Sequence, residues 1–238
     1  MVIHVVRPGD SLYRIAQLHS VPLPFLIQQN ELHEPYRLTP GQTIVVPQPE
    51  KTYIVRRGDT LGSIAAQNGT TVMQLWQNNP QLGGTDRIQP GQMLVLGYGN
   101  KLGRFAVNGY AYPSINTNSL NCVLPFLTFL SPFSYKLTPT AELVSPDDSD
   151  LIFRAQRSAV MPIMVVTNIF DEGFSTEVLS VILASEELQE RLIGNILSEL
   201  TGKNYYGVNM DIEYIAPDDR ERYNAFLERL TERLHNEG

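Results

Sequence analysis

The sequence predicts an α/β protein with two small βααβ units, followed by a larger region in which strands and helices alternate. One observation is a motif of about fifty residues that occurs twice in the first hundred residues. The other is that the rest of the chain alternates apolar runs of strand length with helical stretches. The duplicated motif indicates one small module used twice, and the alternation indicates a parallel sheet covered by helices.

The repeat is recognised from its opening motif, VVRPGDSL at residues 5–12 and IVRRGDTL at residues 54–61. Matches at an offset of 49 or 50 residues follow in the same order, and they include Asn30 with Asn79 and Gln42 with Gln92. In each copy a glycine permits a turn after a short strand, and the Asp-Ser or Asp-Thr pair offers a helix cap. Two helices and a Pro-Gly-Gln turn into a closing strand complete the unit. The pattern predicts βααβ units at residues 2–48 and 52–97.

Composition narrows the possible partners. Residues 99–238 carry eleven Lys and Arg against nineteen Asp and Glu, which argues against nucleic acid because phosphates require a cationic surface. No apolar run is long enough to span a membrane, and the start lacks the basic and apolar segments of a classical signal peptide. We expect a neutral polysaccharide as partner, no nucleic acid, no membrane, no cofactor and no metal ion. The single cysteine, Cys122, excludes internal disulfides and is interpreted as a small buried structural residue.

The glycine-rich segment 98–103 predicts a linker, and the second region begins at residue 104. Strands are predicted at residues 105–110, 126–133, 161–167 and 206–212, and helices at residues 147–157, 176–200 and 217–235. Right-handed crossovers between parallel strands allow either an open doubly wound sheet or a barrel.

The last predicted strand carries the candidate active site. Residues two apart on a strand share a face, so Asn209, Asp211 and Glu213 line up while Met210 and Ile212 point toward covering helices. Neighbouring carboxylates resist being ionised together, and a carboxyl group that keeps its proton can serve as a general acid. Glu213, nearest the end of the strand, is the predicted acid. The alternative is that the two carboxylates only end a strand and meet water or cap the next helix.

The repeated motif, with its central asparagine and closing Pro-Gly-Gln, closely resembles the LysM module. The resemblance implies binding of glycans that contain N-acetylglucosamine, such as peptidoglycan or chitin, between the loop after the first strand and the loop after the second helix. The implied contacts are Gly9, Asp10, Ser11, Leu12 and Asn30 in the first copy, and Gly58, Asp59, Thr60, Leu61 and Asn79 in the second. The alternative is that the two aspartates are helix caps and the two leucines belong to the core.

Residues 108–113 (NGYAYP), 130–135 (LSPFSY) and 204–214 (NYYGVNMDIEY) resemble the YaaH/SleL spore-germination branch of glycoside hydrolase family 18. The resemblance implies two LysM modules before a TIM-type (β/α)8 barrel, and a retaining mechanism in which the substrate's N-acetyl oxygen attacks the anomeric carbon. Glu213 would be acid and then base, and Asp211 would orient the acetamido group. Asn209 replaces an aspartate of the wider family behind the acid. Tyr110 and Tyr214 are implied substrate contacts.

Residues 104–238 number 135, whereas a complete barrel takes about 250 residues. The prediction is therefore the first half of a barrel, about four βα units, whose open strand edges favour self-association. The function predicted is hydrolysis of spore-cortex peptidoglycan by an N-acetylglucosaminidase that its LysM pair holds on the wall. We expect synthesis in the cytoplasm of a sporulating cell and action at the spore coat, cortex or cell wall. The alternative is a non-catalytic glycan-binding or spore-coat protein with an inert half barrel.

Overall fold

The structure of the protein is a computed structural model, and it describes residues 2–33, 36–99, 103, 105–171 and 173–237. The chain divides into two compact units, Met1–Arg104 and Phe105–Gly238. The predicted α/β class is confirmed. Half of the linker expected at residues 98–103, residues 100–102, lies outside the described residues, and its first residue, Tyr98, is the last residue of a strand.

The first unit holds two βααβ modules, as the repeat predicts. Module 1 comprises β1 (Val2–Val5), α1 (Leu12–Leu18), α2 (Leu23–Gln29) and β2 (Thr43–Val46). Module 2 comprises β3 (Pro49–Ile54), α3 (Leu61–Asn68), α4 (Val72–Asn78) and β4 (Met93–Tyr98). The two strands of each module pair antiparallel, and each module buries its own apolar cluster. Each is therefore a small fold with its own core.

The turn after the first strand is built in the same way in both modules. In module 2, Gly58 lies in the left-handed region at φ +90°, a conformation that favours glycine. Thr60 caps α3 by accepting a hydrogen bond from the backbone N–H of Ser63, and Asp59 accepts one from the backbone N–H of Arg56 at 2.7 Å. Module 1 repeats the arrangement with Gly9, Asp10 and Ser11. The aspartates thus close the turn, and the hydroxyl residues after them are the helix caps.

The second unit contains a mixed sheet, a separate two-stranded hairpin and helices. Its strands are β5 (Asn108–Ala111), β6 (Phe129–Pro132), β7 (Tyr135–Leu137), β8 (Leu143–Val144), β9 (Met161–Thr167), β10 (Ile169–Phe170), β11 (Gly173–Phe174) and β12 (Gly207–Asp211). Its helices are α5 (Thr117–Val123), α6 (Ser149–Arg157), α7 (Thr176–Leu183), α8 (Glu186–Lys203) and α9 (Arg220–Glu237). Short 3₁₀ turns lie at Pro80–Leu82, Leu124–Phe126 and Pro217–Asp219.

Four parallel strands follow one another in chain order across this sheet. β5 pairs with β6, β6 pairs with the start of β9, and β12 pairs with Ile163–Thr167 of β9. β7, which follows β6 after two residues, pairs in parallel with the end of β9, and β8 folds back against β7. Among the described residues, β5 and β12 each pair along one edge only. β10 and β11 form a separate hairpin.

Two apolar clusters lie between the sheet and the helices. Leu130 of β6 belongs to a cluster with residues of α5 and α6, whereas Tyr135 and Leu137 of β7 belong to the larger cluster with α7, α8 and α9. Met210 and Ile212 pack against the larger cluster, which confirms that they point toward the helices. Because side chains alternate along a strand, Asn209 and Asp211 belong to the opposite face of β12.

Several predicted elements differ from those observed. The strand expected at residues 105–110 begins only at Asn108, and the helix expected at 176–200 is divided into α7 and α8. The division falls at Ser185, whose hydroxyl accepts the backbone N–H of Leu188 and so caps a new helix. Helix α5 and the hairpins β7–β8 and β10–β11 were not expected, because short elements carry little periodic signal. Cys122 is free and exposed on α5, so its interpretation as a buried residue is wrong.

A buried ion pair connects α8 to the start of α6. The carboxylate of Asp148, fully buried, accepts hydrogen bonds from Lys203 Nζ at 2.8 Å and from the hydroxyls of Tyr135 at 2.9 Å and Tyr205 at 2.6 Å. Burial raises the pKa of Tyr135 to about 12, and burial together with Asp148 raises the pKa of Tyr205. Burial alone would lower the pKa of Lys203, but its hydrogen bonds to Asp148 and Tyr135 raise it instead.

The raised pKa of Tyr135 predicts a loss of stability in alkali. A group whose pKa is higher in the folded state contributes stability below its ordinary pKa, here 10.0, and loses that contribution as pH rises toward the folded value of about 12. We expect the free energy of unfolding to decrease above pH 10, and Tyr135→Phe to make the decrease shallower. Chemical unfolding at a series of pH values measures this slope. An unchanged slope in the variant would contradict the assignment.

Among the described residues, no helix combines the length and apolar character needed to cross a bilayer.

Candidate active site

The polar residues predicted on the last parallel strand are divided between the strand and the loop after it. Asn209 and Asp211 are half-buried on β12, which ends at Asp211. Glu213 lies two residues beyond the strand, and its side chain is exposed. The prediction that all three line one strand face therefore holds for the first two residues, and Glu213 belongs to the loop.

A pocket of about 300 Å³ lies beside Asp211. Its walls are Tyr110 and Ala111 at the end of β5, Tyr112 just after it, Phe133 after β6, and Asp211. The ring of Phe133 packs edge-on against Tyr112 at 5.3 Å and against Tyr110 at 6.3 Å between centroids. The pocket thus combines aromatic walls with one carboxylate.

A hydrogen bond between β12 and β5 forms near this pocket. Asn209 Nδ2 donates to the hydroxyl of Tyr110 at 2.8 Å. No described contact joins Asn209 to Asp211. Tyr110 was predicted as a substrate contact, and its place in the pocket wall is compatible with that role. Tyr112 and Phe133 were not predicted as site residues, although both belong to the two sequence motifs at residues 108–113 and 130–135.

The loop after β12 has a fixed backbone. Tyr214 has a φ of +56°, an uncommon conformation for a residue with a side chain, and its carbonyl accepts the hydroxyl of Thr176 at 2.6 Å. Its exposed ring lies 6.4 Å from that of Phe174, centroid to centroid. Tyr214 therefore lies beside Glu213 but outside the lining of the pocket.

The side chain of Asn168 holds the backbone of Glu213. Asn168 is fully buried, directly after β9, and its Oδ1 accepts the N–H of Glu213 at 3.0 Å. Its Nδ2 donates to the carbonyl of Glu213 at 2.8 Å and to that of Ser175 at 3.1 Å. Sequence reasoning missed Asn168, since a lone asparagine after an apolar strand gives no signal of a partner 45 residues away.

The predicted glycan contacts of the two modules fall into two groups. The six turn residues Gly9, Asp10, Ser11, Gly58, Asp59 and Thr60 are exposed or half-buried. The leucines are different, because Leu12 is 5% and Leu61 1% exposed and both pack in the module cores. Their prediction as glycan contacts is corrected to the core alternative.

The asparagines of the two modules also serve the fold. Asn79 is fully buried, donates from Nδ2 to the carbonyls of Leu75 and Val95, and accepts the N–H of Val95. Asn30 makes the equivalent three bonds, to Leu26 and Val45. These side chains join the second helix of each module to its closing strand. Because Asn79 is fully buried, it cannot contact sugar.

The turn aspartates predict acid sensitivity of the modules. The backbone N–H of Arg56 and the hydroxyl of Tyr53, which donates at 2.8 Å, hold the pKa of Asp59 below its ordinary value of 3.8. In module 1 the ring of His4 takes the place of Tyr53, and it and Arg7 lower the pKa of Asp10. A lowered pKa contributes stability above the ordinary value and loses it as pH falls through the folded value.

We therefore expect module 2 to melt at lower temperature below pH 3.8 than at pH 7, and Asp59→Asn to weaken that dependence. Trp76, the only tryptophan and located on α4, reports the unfolding of module 2 by fluorescence. A variant with the wild-type dependence on pH would show that other groups cause the acid sensitivity.

Residues 4–47 and 53–97 match the family model of the LysM domain. The two βααβ modules are therefore LysM domains, as their motifs predicted.

The chain shares a class of fold with chitinase-like enzymes of the TIM type. A class V chitinase from Pseudomonas fluorescens aligns with 54% of this chain and 41% of its own at a TM-score of 0.50, and at 19% identity this likeness concerns the fold alone.

Two relatives match the chain over nearly its whole length. A cortical fragment-lytic enzyme of Bacillus subtilis is 33% identical over 246 residues, which cover 100% of this chain and 56% of the relative. The crystal structure of the spore cortex-lytic enzyme SleL of Bacillus megaterium is 29% identical, with a TM-score of 0.73, over 99% of this chain and 56% of the SleL chain. The expected similarity to the spore cortex-lytic glycosidases is confirmed, and the chain spans little more than half of their length.

Proposed function

We propose that the protein is a glycoside hydrolase of spore-cortex peptidoglycan, an N-acetylglucosaminidase that its LysM domains hold on the substrate. The observation that carries the proposal is the carboxylate of Asp211 in an aromatic pocket at the end of a parallel strand, with Glu213 two residues further along in the loop. Aromatic rings offer apolar faces to sugar rings, and paired carboxylates are the groups that glycoside hydrolysis uses. The similarity to cortex-lytic enzymes supports the same chemistry.

In the proposed mechanism the substrate supplies the nucleophile. The N-acetyl oxygen attacks the anomeric carbon while Glu213 transfers its proton to the departing glycosidic oxygen, and an oxazolinium ion forms. Asp211 orients the acetamido group and stabilises the positive charge. The Glu213 carboxylate then takes a proton from water, which attacks the anomeric carbon and restores the acetamido group. The configuration at that carbon is retained.

Asn209 has a supporting role in this proposal. Its amide donates to Tyr110, so it fixes the hydroxyl of an aromatic residue that lines the sugar pocket. An amide cannot take a proton from Asp211, so no proton relay runs from the carboxylates through Asn209.

We infer that the second unit is the first half of a TIM-type barrel. Four parallel strands in chain order are half of an eight-stranded barrel, and active sites of such barrels lie at the C-terminal ends of the strands. The edges of β5 and β12 are suited to further barrel strands or to a second copy of the chain. Light scattering, which gives the mass in solution, distinguishes a monomer from a self-associated form.

The LysM domains are the proposed anchor on glycan that contains N-acetylglucosamine. The turn residues at positions 9–11 and 58–60 are the surface that we assign to this contact. Two weak sites on one repetitive polymer raise the effective concentration of the enzyme at its substrate. The proposed place of action is the spore cortex or cell wall.

Incubation of the intact chain with purified spore-cortex peptidoglycan tests the proposal. We expect soluble fragments that carry N-acetylglucosamine at the new reducing end, identified by mass spectrometry. Binding to the insoluble polymer without release of fragments would instead support a non-catalytic glycan-binding protein. That second candidate is favoured by the exposure of Glu213 and by its position outside the pocket lining.

A further inference from the structure

The backbone hydrogen bonds between β12 and β9 end just before Glu213. The last registered pair is Asp211 with Thr167, and the two chains then separate, β9 into the β10–β11 hairpin and β12 into the loop toward the 3₁₀ turn Pro217–Asp219. A loop residue beyond the end of a ladder has no strand partner to fix its direction. Glu213 lies at such a position, two residues beyond the end of β12.

Asn168 replaces the missing strand partner with a side chain. Its amide accepts the N–H and donates to the carbonyl of the same residue, Glu213, as a neighbouring strand would do. The second hydrogen of Nδ2 is used by Ser175, whose own N–H donates to the Asn168 carbonyl at 2.8 Å. Both hydrogens and the oxygen of this fully buried amide are paired, so it cannot turn without leaving polar groups unpaired.

We propose that Asn168 is a positioning residue for catalysis, which sets the direction in which Glu213 projects toward the sugar. This inference rests on the proposed function of Glu213 as the acid. Asn168 acts through the backbone of Glu213 and has no exposed surface for substrate. Loss of orientation by about 1 Å at a catalytic group lowers turnover by about 100-fold.

The LysM domain offers a matched control. Asn79 makes the same three kinds of bond as Asn168, two from Nδ2 to carbonyls and one from a backbone N–H to Oδ1, and its Oδ1 also accepts from Gln81 Nε2 at 3.2 Å. Asn79→Ala therefore deletes at least as many interactions of a fully buried amide as Asn168→Ala does, in a different unit of the chain. Of these two variants, only Asn168→Ala should change turnover.

The first readout is steady-state kinetics of the full chain on a soluble cortex fragment. We expect Asn168→Ala to lower kcat by about 10- to 100-fold with KM within about twofold of wild type. Asn79→Ala should keep the wild-type kcat. The activity of Asn168→Asp should rise toward that of wild type as pH falls, because a protonated carboxyl group again accepts from one backbone group and donates to another. Its activity relative to wild type should be higher at pH 5 than at pH 7.

The second readout is independent of turnover. The backbone N–H of Glu213 should exchange with solvent at least about tenfold faster in Asn168→Ala than in wild type, while amides of β9 keep their wild-type rates. If wild type releases no product, the proposed function fails and this exchange rate alone decides whether Asn168 holds Glu213. An unchanged exchange rate overturns the proposal. A wild-type kcat in Asn168→Ala, measured on an active chain, overturns it as well.

Discussion

Replacement of Glu213 by glutamine should lower turnover on cortex peptidoglycan by about a thousand-fold and leave binding to the insoluble polymer unchanged. Glutamine has nearly the shape of glutamate, but it has no acid proton for the leaving oxygen. Removal of a positioned general acid typically costs 10²- to 10⁴-fold in rate, on the order of 3 to 5 kcal/mol of activation free energy. The backbone bonds of Glu213 to Asn168 do not involve its carboxylate, so we expect the fold to persist.

A suitable control is Glu177→Gln, which makes the same chemical change at an exposed carboxylate in the first turn of α7. Its turnover should stay within about twofold of wild type. Release of fragments is measured for both variants, with pull-down on insoluble peptidoglycan as the measure of binding. Turnover of Glu213→Gln at the rate of the control would refute the assignment of Glu213 as the acid.

Replacement of Asp148 by asparagine should destabilise the second unit by about 3 kcal/mol. The change removes the charge that pairs with Lys203 Nζ at 2.8 Å in a site where Asp148 is completely buried. Lys203 would keep only the more distant and more exposed carboxylate of Glu199, at 3.5 Å, as counter-charge. The hydroxyls of Tyr135 and Tyr205 would lose an ionised acceptor. Removal of one partner from a buried ion pair costs more than the pair itself contributes.

Asp150→Asn is the matched control for this prediction. Asp150 lies two residues further along α6 and is also paired, with Arg154 at 2.7 Å, but its side chain is 64% exposed. A surface pair of this kind contributes about 1 kcal/mol at most. Urea unfolding followed by circular dichroism gives both values, and the fluorescence of Trp76 follows module 2 in the same samples. Equal effects of the two substitutions would show that the buried pair has no special weight.

The LysM domains could be predicted almost completely from the sequence, because their signals are local. A turn glycine, a capping hydroxyl and apolar residues at helical spacing all lie within a few positions of the element that they define. The roles of Asn30 and Asn79 could not be predicted in this way, since each bonds a strand residue 15 or 16 positions later. Their recurrence in the repeat indicated that both asparagines have a role, but it did not show whether that role is glycan binding or folding.

The candidate active site could be predicted only in part for the same reason. Alternation along a strand placed Asn209 and Asp211 on one face of the strand, and it correctly predicted that Met210 points toward the helices. It could not show that the strand ends before Glu213, because that end depends on Asn168 and on Thr176, which lie on other elements. Nor could it find Phe133, whose place in the pocket follows from the pairing of β6 between β5 and β9.

The junction between β6 and β7 contains one residue more than the stretch of β9 that pairs with it. Leu130 faces the helices. With strict alternation along one strand, the residues at positions 132, 134 and 136 would face the helices as well. Instead Tyr135 and Leu137 face the helices, so the alternation moves by one residue between the two strands. One extra residue is accommodated there, beside the residue that lines the pocket.

Deletion of a single residue at positions 133–134 would remove this extra residue and let one continuous strand run from β6 into β7. Tyr135 and Leu137 would then lie four and six positions after Leu130, so alternation alone would keep both on the helix side and their pairing with β9 in register. The packing of the sheet against its helices therefore does not depend on the extra residue, and such a deletion should be felt at the pocket beside it, which Phe133 lines.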